Sequence, residues 1–393
     1  MRRRLIPLLA MAFVLVAGAR DATALGERTL ARKLAVEMRQ AAPASGAYVE
    51  NLTTGERVYQ LRAQTARIPA SNEKLWTTVA ALERFGEDGV LRTTALALRP
   101  LSLNGTLQGN LYLRGEGDPT LSTARLEVLA QDLADAGLSR VTGRVIGDES
   151  AFDSRRGPVS RGIDSDVGGP LGALILDRGA SGAADPAAHA AEVLARQLRD
   201  AGVKVSLDTR SQNTPPGALA LALARSASIR TLIQAMNVPS DNFLAEMLLK
   251  AVGMTEAARA TTRRGAAYAS RVAEKVYGVA PEVVDGSGLS RRDRASPRDL
   301  VSLLGQLVDD DAFFRSLAVM GVSGTLDERL ESSPARGRCR GKTGSLRDVS
   351  ALSGYCETLG GDVLAYSIMM NRTNVFGARA IQDRMASLIV RLE

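Results

Sequence analysis

The sequence predicts an α/β fold in which a central antiparallel sheet packs against helices and carries an α+β insertion. Strand patterns near both ends of the chain, at 46–61 and 339–370, favour a sheet assembled from the two termini. A helical block over 226–319 lies between them. The stretch 90–225 has a different pattern, with short strands of alternating polar and apolar residues and two helices, so it is predicted to form a separate unit.

Each element follows from its local pattern. The N-terminal part predicts helices over 27–40 and 72–85, and hairpin strands at 46–50 and 57–61. The insertion predicts strands at 94–99, 107–113, 141–146 and 203–207, and helices at 122–136 and 187–200. The C-terminal part predicts helices at 229–236, 243–251, 255–277, 297–308, 311–319 and 376–391, and a strand at 363–370. Segments 25–89 and 226–393 are therefore expected to form one main domain, interrupted by residues 90–225.

The first 24 residues are typical of an export signal. Three arginines at 2–4 precede an apolar run over 5–16, and Ala22-Thr23-Ala24 supplies small residues for cleavage. An uncleaved anchor is the alternative, although the run is short for a membrane-spanning helix. We expect an exported protein, in the periplasm or outside the cytoplasmic membrane, with at most peripheral membrane association.

Composition excludes several functional classes. The net charge of the 393-residue chain is only +7, and no basic run is interleaved with aromatic residues, so nucleic acid is not an expected partner. His189 is the only histidine and lies in an alanine-rich helical stretch. A zinc site built on several histidines is therefore excluded, and a Ser-His-Asp triad is disfavoured. No metal or organic cofactor is expected.

The two cysteines, Cys339 and Cys356, are placed symmetrically around Arg347-Asp348. A hairpin turning at that dipeptide would set them opposite each other, and export permits a disulfide. Two free buried thiols are the alternative.

Three short strings occur in one order along the chain: Ser71-Asn72-Glu73-Lys74, Ser240-Asp241-Asn242 and Lys342-Thr343-Gly344. Each string alone is weak evidence. Together they are the signature of serine acyl-transfer enzymes that act on D-alanyl peptides and on β-lactams.

The first string offers a nucleophile and its base. Residues three apart share a helix face, so the Lys74 amine is expected to reach the Ser71 hydroxyl. The lysine must be held partly neutral, either by burial or by a nearby cation such as Lys342. The alternative is a capping serine beside a surface lysine.

The other strings supply the remaining parts of the reaction. Ser240 is expected to pass a proton to the leaving amine, and the Asn242 amide to bind a lysine and the substrate. The alternative is an ordinary helix cap, with Asp241 in a structural role.

In the third string, the side chains of Lys342, Thr343 and Ser345 suit the binding of a terminal carboxylate, and Gly344 leaves room for close approach of the substrate. The alternative is a plain hairpin strand with an exposed lysine. The backbone N–H groups of Ser71 and Ser345 are the expected oxyanion donors.

The chain resembles the D-alanyl-D-alanine carboxypeptidase/endopeptidase family, the low-molecular-mass class C penicillin-binding proteins. Besides the three strings, the resemblance rests on segments 68–75, 115–119, 284–290, 321–326 and 342–346. It implies a penicillin-recognising serine transferase fold and a peptidoglycan stem-peptide substrate ending in D-Ala-D-Ala. It also implies covalent binding of β-lactam antibiotics. Carried over by position, Ser71 is the acylated nucleophile and Lys74 its base, with Ser240, Asn242 and Lys342 on the relay and carboxylate side.

Two departures from the family pattern bear on these expectations. The 169 residues between Ser71 and Ser240 are few for the usual multi-domain insertion, so one subdomain is expected to be reduced or missing. Ser345 stands where threonine is more usual. A β-lactamase or esterase on the same fold and a catalytically silent wall-binding protein are the competing hypotheses.

Overall fold

The computed structural model describes residues 25–158, 165–255 and 258–393, so the predicted export signal lies outside the described residues. Its strands are β1 Ser45–Asn51, β2 Glu56–Leu61, β3 Arg92–Ala97, β4 Thr106–Leu107, β5 Leu111–Gly115, β6 Arg140–Val141, β7 Val145–Asp148, β8 Arg210–Ser211, β9 Leu219–Arg225, β10 Ala318–Val319, β11 Cys339–Leu346, β12 Val349–Glu357 and β13 Val363–Asn371. Its α-helices are α1 Glu27–Arg39, α2 Lys74–Phe85, α3 Thr123–Asp135, α4 Pro186–Asp200, α5 Ile229–Asn237, α6 Asn242–Val252, α7 Thr262–Lys275, α8 Pro297–Gln306, α9 Asp311–Arg315 and α10 Val375–Ile389.

The main sheet has six strands in the order β10-β11-β12-β13-β1-β2, and every neighbouring pair is antiparallel. Because β1 and β2 come from the beginning of the chain and the other four from its end, the predicted assembly from both termini is confirmed. The predicted α/β fold class with a central antiparallel sheet is confirmed with it.

Helices cover both faces of this sheet. On one face, Leu30 of α1 and Met385 of α10 are fully buried in the same apolar cluster. On the other face, Trp76 of α2 and Leu300 of α8 are fully buried against strand residues such as Met369. The second of these faces carries the serine-lysine string, so the packing of α2 fixes where that string lies.

A second sheet, in the order β8-β7-β5-β3-β9, is built entirely from strands between residues 92 and 225. Helices α3 and α4 contribute Leu126 and Leu194 to its own apolar core. Some residues of this region nevertheless lie outside that core. Phe152 and Leu171 are buried among residues of α5 and α6, including Phe243, so the insertion is packed directly onto the helical block.

Several predicted boundaries in the insertion were wrong. The strand expected at 141–146 is split into β6 and β7 around Gly143, where a Cβ would lie 2.4 Å from Asn110 Oδ1. The strand expected at 203–207 is reduced to a single bridge between Lys204 and Arg140. Strand β9 was not predicted at all; its alternating leucines and alanines are mostly half-buried or exposed at the edge of the sheet.

Two helices elsewhere are shorter than predicted. The helix expected over 255–277 begins at Thr262, because the Thr261 side chain accepts from Arg264 N and caps it there. The helix expected over 311–319 ends at Arg315, and Ala318–Val319 pairs with β11 instead. In the ranges that the structure describes, no helix is both long and apolar enough to cross a membrane.

Candidate active site

The nucleophile string begins with a tight turn. Residues Ala70–Glu73 form a 3₁₀ helix that leads into α2 at Lys74. Ala70, directly before Ser71, has a φ of 47°, a left-handed conformation that is costly for a residue with a side chain. Gly288 makes room for it, since a Cβ there would lie 1.9 Å from the Ala70 carbonyl oxygen. The position of Ser71 is thus set by close backbone packing.

Lys74 is the centre of the hydrogen-bond network. Its Nζ donates to Ser71 Oγ at 3.0 Å, to Asn242 Oδ1 at 2.7 Å and to the Ser287 carbonyl at 2.8 Å. The three bonds use all the protons that an ammonium group has. The first string and the Ser-Asp-Asn string therefore meet at one atom, although Lys74 and Asn242 lie 168 residues apart in sequence.

The Lys74 side chain is completely buried. Burial lowers the pKa of Lys74 to about 8, and nearby carboxyls, Glu246 and Asp285 first, oppose that shift. A pKa near neutrality suits a general base, because the amine can then be unprotonated without losing basicity. The buried Lys74 amine is thus both within hydrogen-bond distance of Ser71 and partly unprotonated near neutral pH, as activation of Ser71 requires.

Four buried carboxyl groups lie behind Lys74, and no motif predicted that they would meet there. They are Glu73, Glu246, Asp285 and Asp293, none more than 1% exposed. Burial raises the pKa of all four, of Glu246 to about 8 and of Asp293 to about 9. Such raised values mean that part of the cluster is neutral at pH 7.

One carboxyl of this cluster connects it to the base. Glu246 Oε1 accepts from the backbone N–H groups of Gly286 and Ser287, at 3.0 and 2.9 Å. The Ser287 carbonyl in turn accepts from Lys74. The carboxyl therefore holds the loop whose carbonyl orients the lysine. This loop lies in the segment 284–290, one of those on which the family resemblance rests, and no role for it follows from the sequence alone.

The Ser-Asp-Asn string crosses the cleft opposite Ser71. Ser240 has a φ of 65°, a second strained non-glycine residue at the site. Its side chain lines the same cavity as Ser71, and the described residues show no hydrogen bond from its hydroxyl to Lys74 or Lys342. Asn242 bonds Lys74 through its oxygen and the Asp166 carbonyl through its nitrogen, at 2.7 and 2.8 Å.

Asp241 faces away from the lysines. Its Oδ1 accepts from Leu244 N and caps α6, and its Oδ2 pairs with Arg178 at 2.6 Å. Arg178 and Asp166 both lie within the region 90–225, between the predicted strand 141–146 and the predicted helix 187–200. The insertion thus supports the Ser-Asp-Asn turn from outside, which sequence reasoning missed.

Strand β11 forms the other wall. Strand β10 pairs with it only at Arg340 and Gly341, so the edge beyond them faces the cleft. The Cys339 carbonyl accepts from Met320 N on this side. Because backbone groups alternate along an antiparallel strand, those of Thr343 and Ser345 also point to the open edge. The Ser345 N–H is therefore available to the cleft, beside the Ser71 backbone.

The Lys342 side chain lies beneath this edge and is completely buried. Burial, followed by the charge of Lys74, lowers the pKa of Lys342 well below the usual lysine value. Its Nζ donates to the Thr343 carbonyl at 3.0 Å, and Thr343 Oγ1 bonds Thr325 Oγ1 at 2.7 Å. Asn72 Nδ2 donates to the Lys342 carbonyl at 2.9 Å, which ties the first string to the third. Close contact of the strand with Pro69 leaves Gly344 no space for a side chain, since a Cβ would lie 2.7 Å from the Pro69 carbonyl oxygen.

The predicted disulfide is confirmed. Cys339 and Cys356 are directly opposed in the β11–β12 register and are bonded to each other. The bond lies three residues before Lys342, so it fastens the start of the strand that carries the third string.

The cleft between these elements has a volume of about 360 Å³. Ser71, Ser240, Thr343, Gly344 and Ser345 line it together. Lys74 and Lys342 lie buried below it. His189, by contrast, is on α4 of the insertion, beside Glu192, and is not among the lining residues.

Sequence comparison places this site in a known family. A model of the D-Ala-D-Ala carboxypeptidase 3 (S13) family matches residues 30–183 and 178–392. The chain belongs to this family. A D-alanyl-D-alanine carboxypeptidase from Actinomadura sp. (strain R39) is 30% identical, over 87% of this chain and 80% of the relative. The D-alanyl-D-alanine carboxypeptidase DacB of Haemophilus influenzae is 24% identical, over 83% of this chain and 85% of the relative.

Solved structures share the fold. Penicillin binding protein 4 from Haemophilus influenzae superimposes with a TM-score of 0.78 at 22% identity, over 91% of this chain and 98% of that chain. A predatory peptidoglycan endopeptidase from Bdellovibrio bacteriovorus has a TM-score of 0.56 at 17% identity, over 88% and 92% of the two chains. The predicted family and the penicillin-recognising fold are therefore confirmed, and this S13 carboxypeptidase is a serine hydrolase.

Proposed function

We propose that this S13 carboxypeptidase trims peptidoglycan stem peptides ending in D-Ala-D-Ala through an acyl-enzyme on Ser71, and that it also cleaves peptide cross-links. One observation carries the assignment of the nucleophile. A completely buried lysine, Lys74, lies 3.0 Å from the Ser71 hydroxyl and has a pKa of about 8. A serine alcohol needs such a base before it can attack a carbonyl.

Acylation follows from this geometry. Neutral Lys74 takes the Ser71 proton as Oγ bonds to the carbonyl carbon of the penultimate D-alanine. The N–H groups of Ser71 and Ser345 stabilise the oxyanion. The carbon–nitrogen bond then breaks, and the proton that Lys74 took passes through Ser240 to the leaving nitrogen, which leaves Lys74 neutral again. Water then attacks the ester while Lys74 takes its proton; as the bond to Ser71 Oγ breaks, Lys74 passes that proton to Oγ, which releases the shortened peptide and restores Ser71.

The remaining residues position the substrate. The open edge of β11 can pair with an extended peptide, as in other strand-addition complexes. Thr343 and Ser345 hydroxyls bind the terminal carboxylate, with the Lys342 charge beneath them. The Asn242 side chain accepts a hydrogen bond from Lys74 and binds the substrate on the opposite side. No step requires a metal or an organic cofactor.

The other proposals concern location and organisation. We place the enzyme outside the cytoplasmic membrane, since the first 24 residues fit an export signal and Cys339 is disulfide-bonded to Cys356. We assign residues 90–225 to an inserted accessory domain, because they form a separate sheet with its own apolar core. Through Arg178 and Asp166 this domain also supports the Ser240 turn.

Intact mass after mixing with benzylpenicillin tests the nucleophile. We expect a persistent adduct of one penicilloyl group on the mature protein and none on Ser71→Ala, whose thermal melting should match the wild type. Release of D-alanine from a pentapeptide would then establish the carboxypeptidase activity directly. Consumption of the penicillin without an adduct would favour a β-lactamase, and survival of the penicillin would favour the silent wall-binding protein.

A further inference from the structure

The cleft extends well past the catalytic residues toward the C-terminal helix. Beyond Thr343 and Ser345 its walls are the segment 325–329 and one side of α10. This is the leaving-group side, because the Ser345 hydroxyl, which binds the carboxylate of the leaving group in the proposed reaction, accepts a hydrogen bond from Arg379 of α10. The volume of about 360 Å³ lies within the range of pockets that hold drug-sized ligands, about 300–1,000 Å³. A single D-alanine would leave much of it empty.

Two arginines line this extension, and they differ in their partners. Arg329 pairs with Asp383 at 2.7 Å and is 13% exposed, so its charge is already neutralised. Arg379, on the exposed side of α10, donates to the neutral Ser345 hydroxyl at 3.0 Å. Within the described chain no carboxylate lies within ion-pair distance of it. Of the two arginines, Arg379 is therefore the one whose charge is not paired with a carboxylate, so it can bind an anionic group of a ligand.

Carboxylates are also presented here. Asp327 and Glu328 are exposed side chains at the rim of the same pocket. Neither forms an ion pair within the described chain. The extension thus combines an uncompensated guanidinium on α10, bonded to the Ser345 hydroxyl, with two uncompensated carboxylates on the segment 325–329. Such a pattern matches a ligand that has a carboxylate toward α10 and a cationic group toward the segment 325–329.

We propose that Arg379 is a specificity residue that binds the carboxylate next to the scissile nitrogen, and that Asp327 and Glu328 favour a cationic extension of the leaving group. The preferred leaving group then carries a free carboxylate beside the scissile nitrogen and a positive charge on a side chain larger than that of D-alanine. This inference deepens the proposed function and rests on it. The guanidinium matches a carboxylate with two parallel hydrogen bonds, which an ammonium group cannot reproduce.

The first test compares a peptide ending in D-Ala-D-Ala with the same peptide as its C-terminal amide, using diacetyl-L-lysyl-D-alanyl-D-alanine. We expect Arg379→Ala to lower the acid-to-amide ratio of kcat/KM by about 10- to 100-fold, the range for losing a hydrogen bond to a charged group. Arg379→Lys should restore part of the ratio. Arg384→Ala is the matched control, because Arg384 lies on the same helix but pairs with Glu37.

The second test changes the leaving group to D-lysine or its neutral analogue D-norleucine. We expect the wild type to favour D-lysine by about 3-fold at low salt, since exposed charges act weakly and are screened. The preference should disappear in an Asp327→Asn/Glu328→Gln double variant. Equal rates for D-lysine and D-norleucine in the wild type would overturn this part of the inference.

Failure of the inference can be separated from failure of the proposed function. Acylation of the wild type by benzylpenicillin is measured first. If neither acylation nor D-alanine release occurs, the proposed function is wrong. If the wild type is active but Arg379→Ala lowers acid and amide rates equally, or changes neither, then the role given to Arg379 is wrong. Arg379→Gln and thermal melting of each variant distinguish this outcome from misfolding.

Discussion

The floor and the outer wall of the cleft are built in opposite ways. We use floor for Lys74, Lys342 and the buried carboxyls, and outer wall for Asp327, Glu328 and Arg379. Floor side chains are almost completely buried, and Lys74 uses every proton it has. Outer-wall side chains are exposed. The difference separates two tasks: burial changes the protonation of a group that must move a proton, whereas accessible charges select what enters.

Replacing the base gives the largest expected effect and tests the floor directly. Lys74→Met keeps the length of the side chain but removes the amine. We expect acylation by benzylpenicillin to slow by about 10²- to 10⁴-fold, the usual contribution of a general base. The second-order acylation rate constant measures it, with thermal melting as the control for folding. A rate within tenfold of the wild type would show that the lysine is not the base.

The pH dependence of the wild type sharpens the same point. Because the pKa of Lys74 is about 8, the neutral amine is the minority form below that pH. We expect the acylation rate to rise about tenfold per pH unit at lower pH and to level off above about pH 8. A flat profile between pH 6 and 9 would contradict the assignment.

The sequence predicted the floor where local geometry suffices. A three-residue spacing brings Ser71 and Lys74 together on any helix start, and hairpin symmetry places Cys339 opposite Cys356. The buried carboxyls could not be predicted in this way. They come from three separate segments, and aspartate and glutamate are usually surface residues, so only the folded packing brings them behind the lysine.

The outer wall was equally hidden from the sequence. Arg379 and Asp327 belong to no motif, and they line one cavity because the packing of α10 brings Arg379 to Ser345 of β11. The role of the insertion was missed for a related reason, since Arg178 reaches Asp241 from a stretch rich in loop residues. The spacing of the motifs predicts the catalytic residues. The residues that select the substrate come together through contacts between elements that are distant in sequence, so the motifs do not predict them.

Gly288→Ala should damage the floor through packing alone. Its φ is +83° and a Cβ would lie 1.9 Å from the Ala70 carbonyl oxygen. We expect a loss of about 3 kcal/mol in the free energy of unfolding, combining the left-handed backbone cost with overpacking. Chemical denaturation measures it. Gly278→Ala is the matched control, with a φ of +67° but open space around it, and should lose only about 1–2 kcal/mol.

Equal losses at the two glycines would mean that Gly288 does not fix the Ala70 turn. If it does fix that turn, Gly288→Ala should also slow acylation at Ser71, which Gly278→Ala should leave unchanged.

Glu246→Gln gives the smallest expected effect on stability. Together with Glu328→Gln it compares a carboxyl of the floor with one of the outer wall. Burial raises the pKa of Glu246 to about 8, so folding favours its neutral form. The stability this provides is complete below about pH 4.5 and is lost as the pH rises through about 8. Glutamine cannot ionise, and its oxygen can still accept from Gly286 and Ser287. We expect the variant to lose less stability than the wild type between pH 5 and pH 9, by at least about 1 kcal/mol.

Urea unfolding at the two pH values measures this difference. Glu328→Gln is the matched control, because it removes an exposed carboxylate of the outer wall and should leave the pH dependence unchanged. The same pH dependence in wild type and Glu246→Gln would show that this carboxyl is not held neutral by the fold.

The sheet order has a consequence for how the enzyme comes into being. Asn72 and the Lys342 carbonyl that it binds are 270 residues apart in sequence, and β1 pairs with β13 from the far end of the chain. Contacts of such long range form late in folding, since the intervening chain must first be ordered. A nascent chain that has emerged only as far as Ser71 has no oxyanion strand and no carboxylate site. Ser71 is therefore synthesised early, but its active site is complete only when nearly the whole chain has been released.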